Sequence, residues 1–507
     1  SPKVVNCEFY GNYAKVDGGA IWIEESEMII ENCAFSGNYA KVHAGAVCFN
    51  NTSASLKGCT FTENTALYGG AVYVVKGDRV SVIEDCHFEG NSTLAGGNGG
   101  GISISNARVY MENTSFINNT ADSWGGGVVF HYKCDVDVIN CTINNNTAGS
   151  WGGGIGAIHQ TNVRMTNCEI RGNKAIGYCA GGVGFSDKSN LWLYNSLVSG
   201  NVCGDNSGDD YGAGIYITDT SKAEIYNVTV TGNAAYDPTN RSAVAVNKVG
   251  EMYLYNSIVR GNPNPGGSGY GDYYKVDGIL KFHNSCSYPL STESNTSDDP
   301  MFLTNPGTLT LPSSDGDFNL WGNSPVNNKG SNSYLPKDEY DLDNDGDTDE
   351  SLPYDLNGKE RVFAGVVDMG CFEQQFESIS GNQLSIWDND RVNMGNNLTL
   401  DNTDFTMEMW FFPREEAPGD SWQSILSNDD LGYDKRPPSL FIFQKDRIHY
   451  GYHDGTTNWN AGDTEKALKI GQWNHIAMTF DDASNTIKIY TNGQHLESLV
   501  GIGEVLP

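Results

Sequence analysis

The chain has 507 residues, 60 of them glycine, with 38% apolar and only 19% charged residues. That length holds two or three ordinary domains. The glycine content excludes a mainly helical protein, and no run of about 20 apolar residues is present to span a bilayer. A formal net charge of −32, from 31 basic and 63 acidic residues, argues against nucleic acid and anionic lipid as partners and favours bound cations.

In chain order, the first element is a repeat. An Asn-like residue followed six positions later by Asn recurs ten times: Asn6/Asn12, Asn32/Asn38, Gly58/Asn64, Asp85/Asn91, Asn113/Asn119, Asn140/Asn146, Asn167/Asn173, Asn195/Asn201, Asn227/Asn233 and Asn256/Asn262. The starts lie 26 to 32 residues apart. Directly after the first Asn stands a small residue, Cys7, Cys33, Cys59 and Cys86 in the early copies. Two positions further stand Phe9, Phe35, Phe61 and Phe88. Cys-x-Phe has a period of two, which puts both side chains on one face of a strand. A small-residue cluster follows, Gly18-Gly19-Ala20 or Gly125-Gly126-Gly127, and then a short apolar strand such as Ala71-Val72-Tyr73-Val74.

A unit of about 27 residues with short strands cannot bury an apolar face alone. Stacked units can, with strands pairing at about 4.8 Å per coil. The expected fold is therefore all-β, a right-handed parallel β-helix over 1–298 with about ten coils. Its interior files are Phe9, Phe35, Phe61 and Phe88, and Asn12, Asn38, Asn64 and Asn91, whose amides bond backbone and the next Asn. After Gly212 the motif drifts, and Asn233 has no Gly-Gly pair behind it. The paired motifs, Phe35-Ser-Gly-Asn38 and Gly18-Gly-Ala-Ile21, resemble the repeats of polymorphic outer-membrane proteins and related bacterial β-helix adhesins. That resemblance covers about 1–290.

Residues 299–375 lose the repeat. Asp299-Pro300-Met301-Phe302, Gly316-Asp317-Phe318-Asn319-Leu320, Asn323-Ser324-Pro325-Val326 and Val367-Asp368-Met369-Gly370-Cys371 resemble the choice-of-anchor tail that follows β-helices in bacterial surface proteins. An open solenoid end exposes unpaired strand edges, so this tail is expected to cap it. A dedicated partner-docking tail is the alternative. Within it, Asp341, Asp343, Asp345, Asp347 and Asp349 alternate around Gly346, the pattern of an oxygen-ligand Ca²⁺ loop. Position twelve is Leu352 where an EF-hand has Glu, so the expectation is a looser Ca²⁺ loop completed by residues elsewhere. A solvated acidic turn is the alternative.

From Phe376 the texture changes to longer aromatic strands. Gln472-Trp473-Asn474-His475-Ile476-Ala477 and Ile489-Tyr490-Thr491-Asn492-Gly493 resemble the laminin-G/concanavalin-like sandwich. The resemblance covers 376–507, with Trp473 and Phe480 expected in the core and a tight hairpin at Asn492-Gly493. The domain reads as C-terminally incomplete, and Ser1 enters in mid-pattern, so the chain is expected to be a segment of a longer polypeptide.

The Cys column exchanges with Ser, Thr and Val and reads as buried free thiols, with Cys179–Cys203 the best disulfide candidate. Trp124 and Trp151, one coil apart before three glycines, could hold a sugar ring or simply pack locally. Asp209-Asp210 is the one close acidic pair in a late corner, and His43, His131 and His159 share no column. An enzyme is not expected, although β-helix lyases and hydrolases exist. As a whole, the assembly resembles large surface adhesins of Bacteroidota, many exported by the type IX system. That resemblance implies an extracellular, cell-surface stalk presenting a lectin-like module to glycans or cell-surface proteins. The rival classes are a structural subunit of a filament or other homo-oligomer, and a β-helix polysaccharide lyase or hydrolase.

Overall fold

The computed structural model describes residues 2–375 apart from 77–78, 178–179, 205–210, 237–241, 264–270, 291, 293 and 323. Beyond these it describes 405–411, 422–426, 439–443, 446–453, 459–465, 467–469, 472, 474–481, 484 and 486–500. Two compact units are present, 1–383 and 384–507.

Each repeat makes one turn of a solenoid with four strands. Among the described residues, Lys3–Val5, Glu8–Tyr10, Tyr13–Ala14 and Ile21–Glu24 begin four parallel faces of eleven, eleven, nine and ten strands, each strand pairing with its copy one turn on. The drifting repeats after Gly212 stay in register, and an eleventh rung follows them at Ile279–His283 and Cys286–Ser287.

The corners explain the sequence columns. The first Asn of each pair sits in the left-handed region, with φ +55° at Asn6, +51° at Asn140 and +48° at Asn256. The two non-Asn members, Gly58 (+60°) and Asp85 (+53°), are residue types that tolerate that conformation. The second glycine of the small cluster is required for another reason. A Cβ on Gly45 would lie 2.3 Å from the Gly70 carbonyl oxygen, and one on Gly70 2.1 Å from that of Gly100. Successive turns touch backbone to backbone there.

Inside, like meets like. Phe9, Phe35, Phe61, Phe88 and Phe116 stack with ring centroids 4.6–4.9 Å apart and planes within 11°, the spacing of paired strands. The Asn file runs from Asn12 to Asn262. Asn64 is typical: its Oδ1 accepts from Asn38 N (3.0 Å) and Nδ2 (2.9 Å), and its Nδ2 donates to Phe35 O (3.0 Å) and Asn91 Oδ1 (2.9 Å). Asp272 ends the file, accepting from Asn262 N and Nδ2. The column cysteines are free thiols, and burial pushes those of Cys141 and Cys168 up, the latter to about 12. Cys203 is also a buried free thiol, and Cys179 lies outside the described residues.

The tail requires a correction. It does not cap the end of the solenoid but lies along its side, over the second face and its corners and, through Tyr334 and Tyr340, against the first face. The free edge of the Cys286–Ser287 strand in the last rung is bonded from within 285–298: Ser287 N donates to Thr296 O and Thr296 N to Ser285 O. The tail lies on the flank because the outward residues of the second face change character. Glu8, Thr60, His87, Thr142 and Glu169 give way to Leu197, Ile258 and Cys286, which join Phe302, Phe318, Leu320, Val326, Met369, Cys371 and Phe372 in one apolar cluster. Arg171 donates to the carbonyls of Asp315 and Gly316. Asn256 exchanges hydrogen bonds with Ser331 (2.8 and 2.9 Å), and the buried Arg361 donates to Asn195 Oδ1.

Among its described residues, the second unit has two antiparallel four-stranded sheets. One orders Phe405–Phe411, Asn474–Asp481, Thr486–Thr491 and Gln494–Val500; the other orders Trp422–Leu426, Ser439–Phe443, Arg447–His453 and Trp459–Asp463. Ile476, Met478, Phe480, Ile487 and Ile489 from the first share a core with Leu440, Ile442, Ile448 and Tyr450 from the second, the period-two burial of a sandwich. Asn492 (φ +49°) and Gly493 (φ +75°) make the expected tight hairpin. Trp473 lies outside the described residues.

Candidate functional site

The acidic stretch is a closed loop. Lys337 and Ser351 form an antiparallel bridge at its neck, Asp338 N donates to Glu350 O (2.9 Å), and Leu352 N donates to Pro336 O (2.9 Å). Leu352 is buried, so the position where an EF-hand carries its bidentate Glu holds an apolar side chain shut off from solvent instead. Gly346, with φ +89°, makes the turn and donates to Asp341 Oδ1. The loop also touches the solenoid, through Tyr340 Oη donating to Asp137 Oδ1 at 2.8 Å.

The five aspartates do not form one ring. Asp341, Asp343 and Asp345 bring one oxygen each within 4.8 Å of the others. Asp349 instead pairs with Lys337 at 2.6 Å, which holds its carboxyl below the usual range, and Asp347 Oδ1 accepts from Asp349 N. A second group, also within 4.8 Å, joins Asp343 to Asp338 and Glu350. These two acids flank the aspartate run at the neck of the loop, and the alternation pattern could not reveal them because neither follows its period. Partial burial and the charges of Asp345 and Asp343 raise the Glu350 carboxyl, and burial raises that of Asp338.

Trp124 and Trp151 are bridge partners on adjacent turns. Trp151 is 8% exposed, and its indole lies over Gly156 and Gly184, where an added Cβ would come within 3.5 and 2.6 Å of the ring. Little of its face is left for a ligand. Trp124 is partly buried against the same cluster. Of the histidines, His131 is driven down to about 4 by burial and by neighbouring His159. His43 bonds Asp17 at 2.7 Å and His159 bonds Asp187. Asp209 and Asp210 lie outside the described residues. The sandwich contributes a residue that the sequence reading passed over: Trp410, 58% exposed, leans over His475 with centroids 5.1 Å apart.

The family described as "Right handed beta helix region" matches residues 1–155, 44–233 and 92–287 in overlapping registers. "Concanavalin A-like lectin/glucanases superfamily" matches 388–506. Among solved structures, the Ruminococcus gnavus IT-sialidase CBM40 bound to alpha2,3 sialyllactose is similar at 17% identity, over 21% of this chain and 57% of that one, with TM-score 0.18. The chain thus spans a little over half the length of that module. The enzymatically active domain of tailspike protein 2 from bacteriophage CBA120 is similar at 12% identity, over 100% of this chain and 73% of that one, with TM-score 0.25. No curated protein matches the chain. Among the described residues no helix is long and apolar enough to cross a membrane, and a β-helix joined to a lectin-like sandwich fits an extracellular surface protein. With parallel faces stacked turn on turn through residues 1–287, the chain belongs to the right-handed β-helix family.

Proposed function

We propose that this chain is part of a bacterial surface adhesin, a stiff β-helical stalk whose sandwich module binds glycans. The observation that carries the reading is the union in one chain of a solenoid eleven rungs long with a concanavalin-like sandwich that exposes Trp410. A solenoid transmits its rigidity because every turn is bonded to both neighbours. An exposed indole offers a flat apolar face of the kind sugar rings stack on. Repeated weak contacts along a cell surface then gain strength through effective concentration. The net charge of −32 repels sialylated and sulfated chains, so the expected ligands are neutral glycans.

The test is a glycan array probed with the full chain at about 0.15 M salt, where long-range repulsion is largely screened. Neutral glycans are expected to bind, and Trp410→Ala should weaken binding about ten-fold. An array on which nothing binds, or binding untouched by Trp410→Ala, would overturn the assignment. Ordered filaments in electron micrographs of the purified chain would replace it with a structural subunit, and release of reducing ends from bound polysaccharide with an enzyme.

A further inference from the structure

The neck of the acidic loop holds two carboxylate oxygens in an unusual state. Asp338 is 0% exposed. Its Oδ2 accepts from Leu342 N at 2.8 Å, while its Oδ1 is shut off from solvent and accepts no hydrogen bond. Glu350 Oε1, one residue inside the other arm of the neck, is in the same state. Asp338, Asp343 and Glu350 bring their oxygens together within 4.8 Å. The one cation in the neck sequence, Lys337, is engaged by Asp349. Buried acceptors without a donor are rare in folded proteins, and three carboxylates facing one another repel unless a positive charge stands between them.

We propose that Asp338, Asp343 and Glu350 bind a Ca²⁺ ion that locks the acidic loop at its neck. The donor set is all oxygen, with neither His nor Cys in it, which suits a hard cation. Asp343 is shared with the Asp341–Asp345 group, so further oxygens stand beside the same ion. Ca²⁺ uses about six to eight oxygens in irregular geometry, whereas Mg²⁺ demands a near-ideal octahedron and keeps its water. The ion draws a ligand from each arm of the neck and one from the turn, and so holds in place the segment whose Tyr340 reaches Asp137 on the solenoid. The site is not the consecutive aspartate loop that the sequence pattern suggests, because Asp347 and Asp349 play no part in it. It is also independent of any glycan ligand.

The test uses the full chain stripped with EDTA and titrated calorimetrically with CaCl₂, then with MgCl₂. Ca²⁺ should bind and Mg²⁺ should bind more weakly. Asp338→Asn and Glu350→Gln should each weaken Ca²⁺ binding about ten-fold or more, and Asp349→Asn less than about three-fold. In EDTA, Asp338→Asn should melt no lower than the parent, since it removes an unpaired buried charge. The proposal fails if the parent takes up no Ca²⁺ at about 10 mM, beyond the weakest usual extracellular sites. It fails equally if Asp338→Asn binds as the parent does, if Asp349→Asn costs as much as Asp338→Asn, or if Asp338→Asn melts lower in EDTA.

Discussion

Asn119 in the solenoid and Arg361 in the tail are both polar and both almost wholly buried, yet their environments have little in common. Asn119 accepts from Asn91 and donates to Phe88 O and Asn146 Oδ1, the same bonds its copies make on the turns before and after. Arg361 donates to the carbonyls of Gly370 and Asp368 and to Asn195 Oδ1, a set found nowhere else in the chain's described residues. One residue is satisfied by repetition; the other depends on three separate pieces of chain arriving together. The solenoid should therefore tolerate damage in proportion to how many neighbours lose a partner, and the tail should release as a unit when its single buried cation is lost.

The largest effect is expected from Asn119→Ala. It removes four hydrogen bonds, leaving Asn91 N without its side-chain acceptor, Asn91 Nδ2 with Phe61 O alone and the Phe88 carbonyl without its side-chain donor, a loss of about 4 kcal/mol in a denaturant melt of the whole solenoid. Phe61→Ala opens a gap between Phe35 and Phe88, which stack on its two faces, and should cost about 3–4 kcal/mol by the same measurement. Arg361→Met should destabilise by about 3 kcal/mol, but locally. Limited proteolysis should then cut within 299–375 while the solenoid stays intact, and a solenoid that melts with it would show that the tail and the solenoid unfold as one unit.

A smaller effect follows from pH. Burial, reinforced by Asp368, pushes the Glu373 carboxyl up to about 8, and burial pushes Asp368 up to about 6. Both therefore hold protons more tightly folded than unfolded. Their contribution is complete below the ordinary carboxylate range of about 4 and is lost as pH rises through about 6 and then about 8. Protease resistance of the tail should decline across that window, and Glu373→Gln should remove the upper part of the decline. The smallest change is expected at Asn12→Ala. Asn12 is exposed and receives no bond from a preceding Asn, so the loss should be about 1 kcal/mol or less, which a denaturant melt run beside Asn119→Ala would show directly.

The solenoid was legible because a repeat states its own contacts. Residues in the same column must meet, so Phe9, Phe35 and Phe61 could be placed against one another before any distance was known. The requirement for Asn, Asp or Gly at the first corner was equally visible, although its cause is the left-handed φ there. The tail gave no such guide. The open end of a solenoid suggested an end cap, but what decides its place is the change of Glu8, Thr142 and Glu169 to Leu197 and Ile258 on the outer face of one strand column. That change is readable only once the faces are known. In the acidic loop the alternation of Asp341, Asp343 and Asp345 marked the region, while Asp338 and Glu350 are brought in by the bridge between Lys337 and Ser351.

The amino-acid sequence by itself determined the coil length, the inward files and the two fold classes, because each rests on periodicity within a strand and identity between turns. Tertiary structure alone decided where the tail lies and which carboxylates face one another. Those contacts join residues with no common period, across separations that range from the 12 residues between Asp338 and Glu350 to the 203 between Asp137 and Tyr340, and only the packed chain brings them within reach.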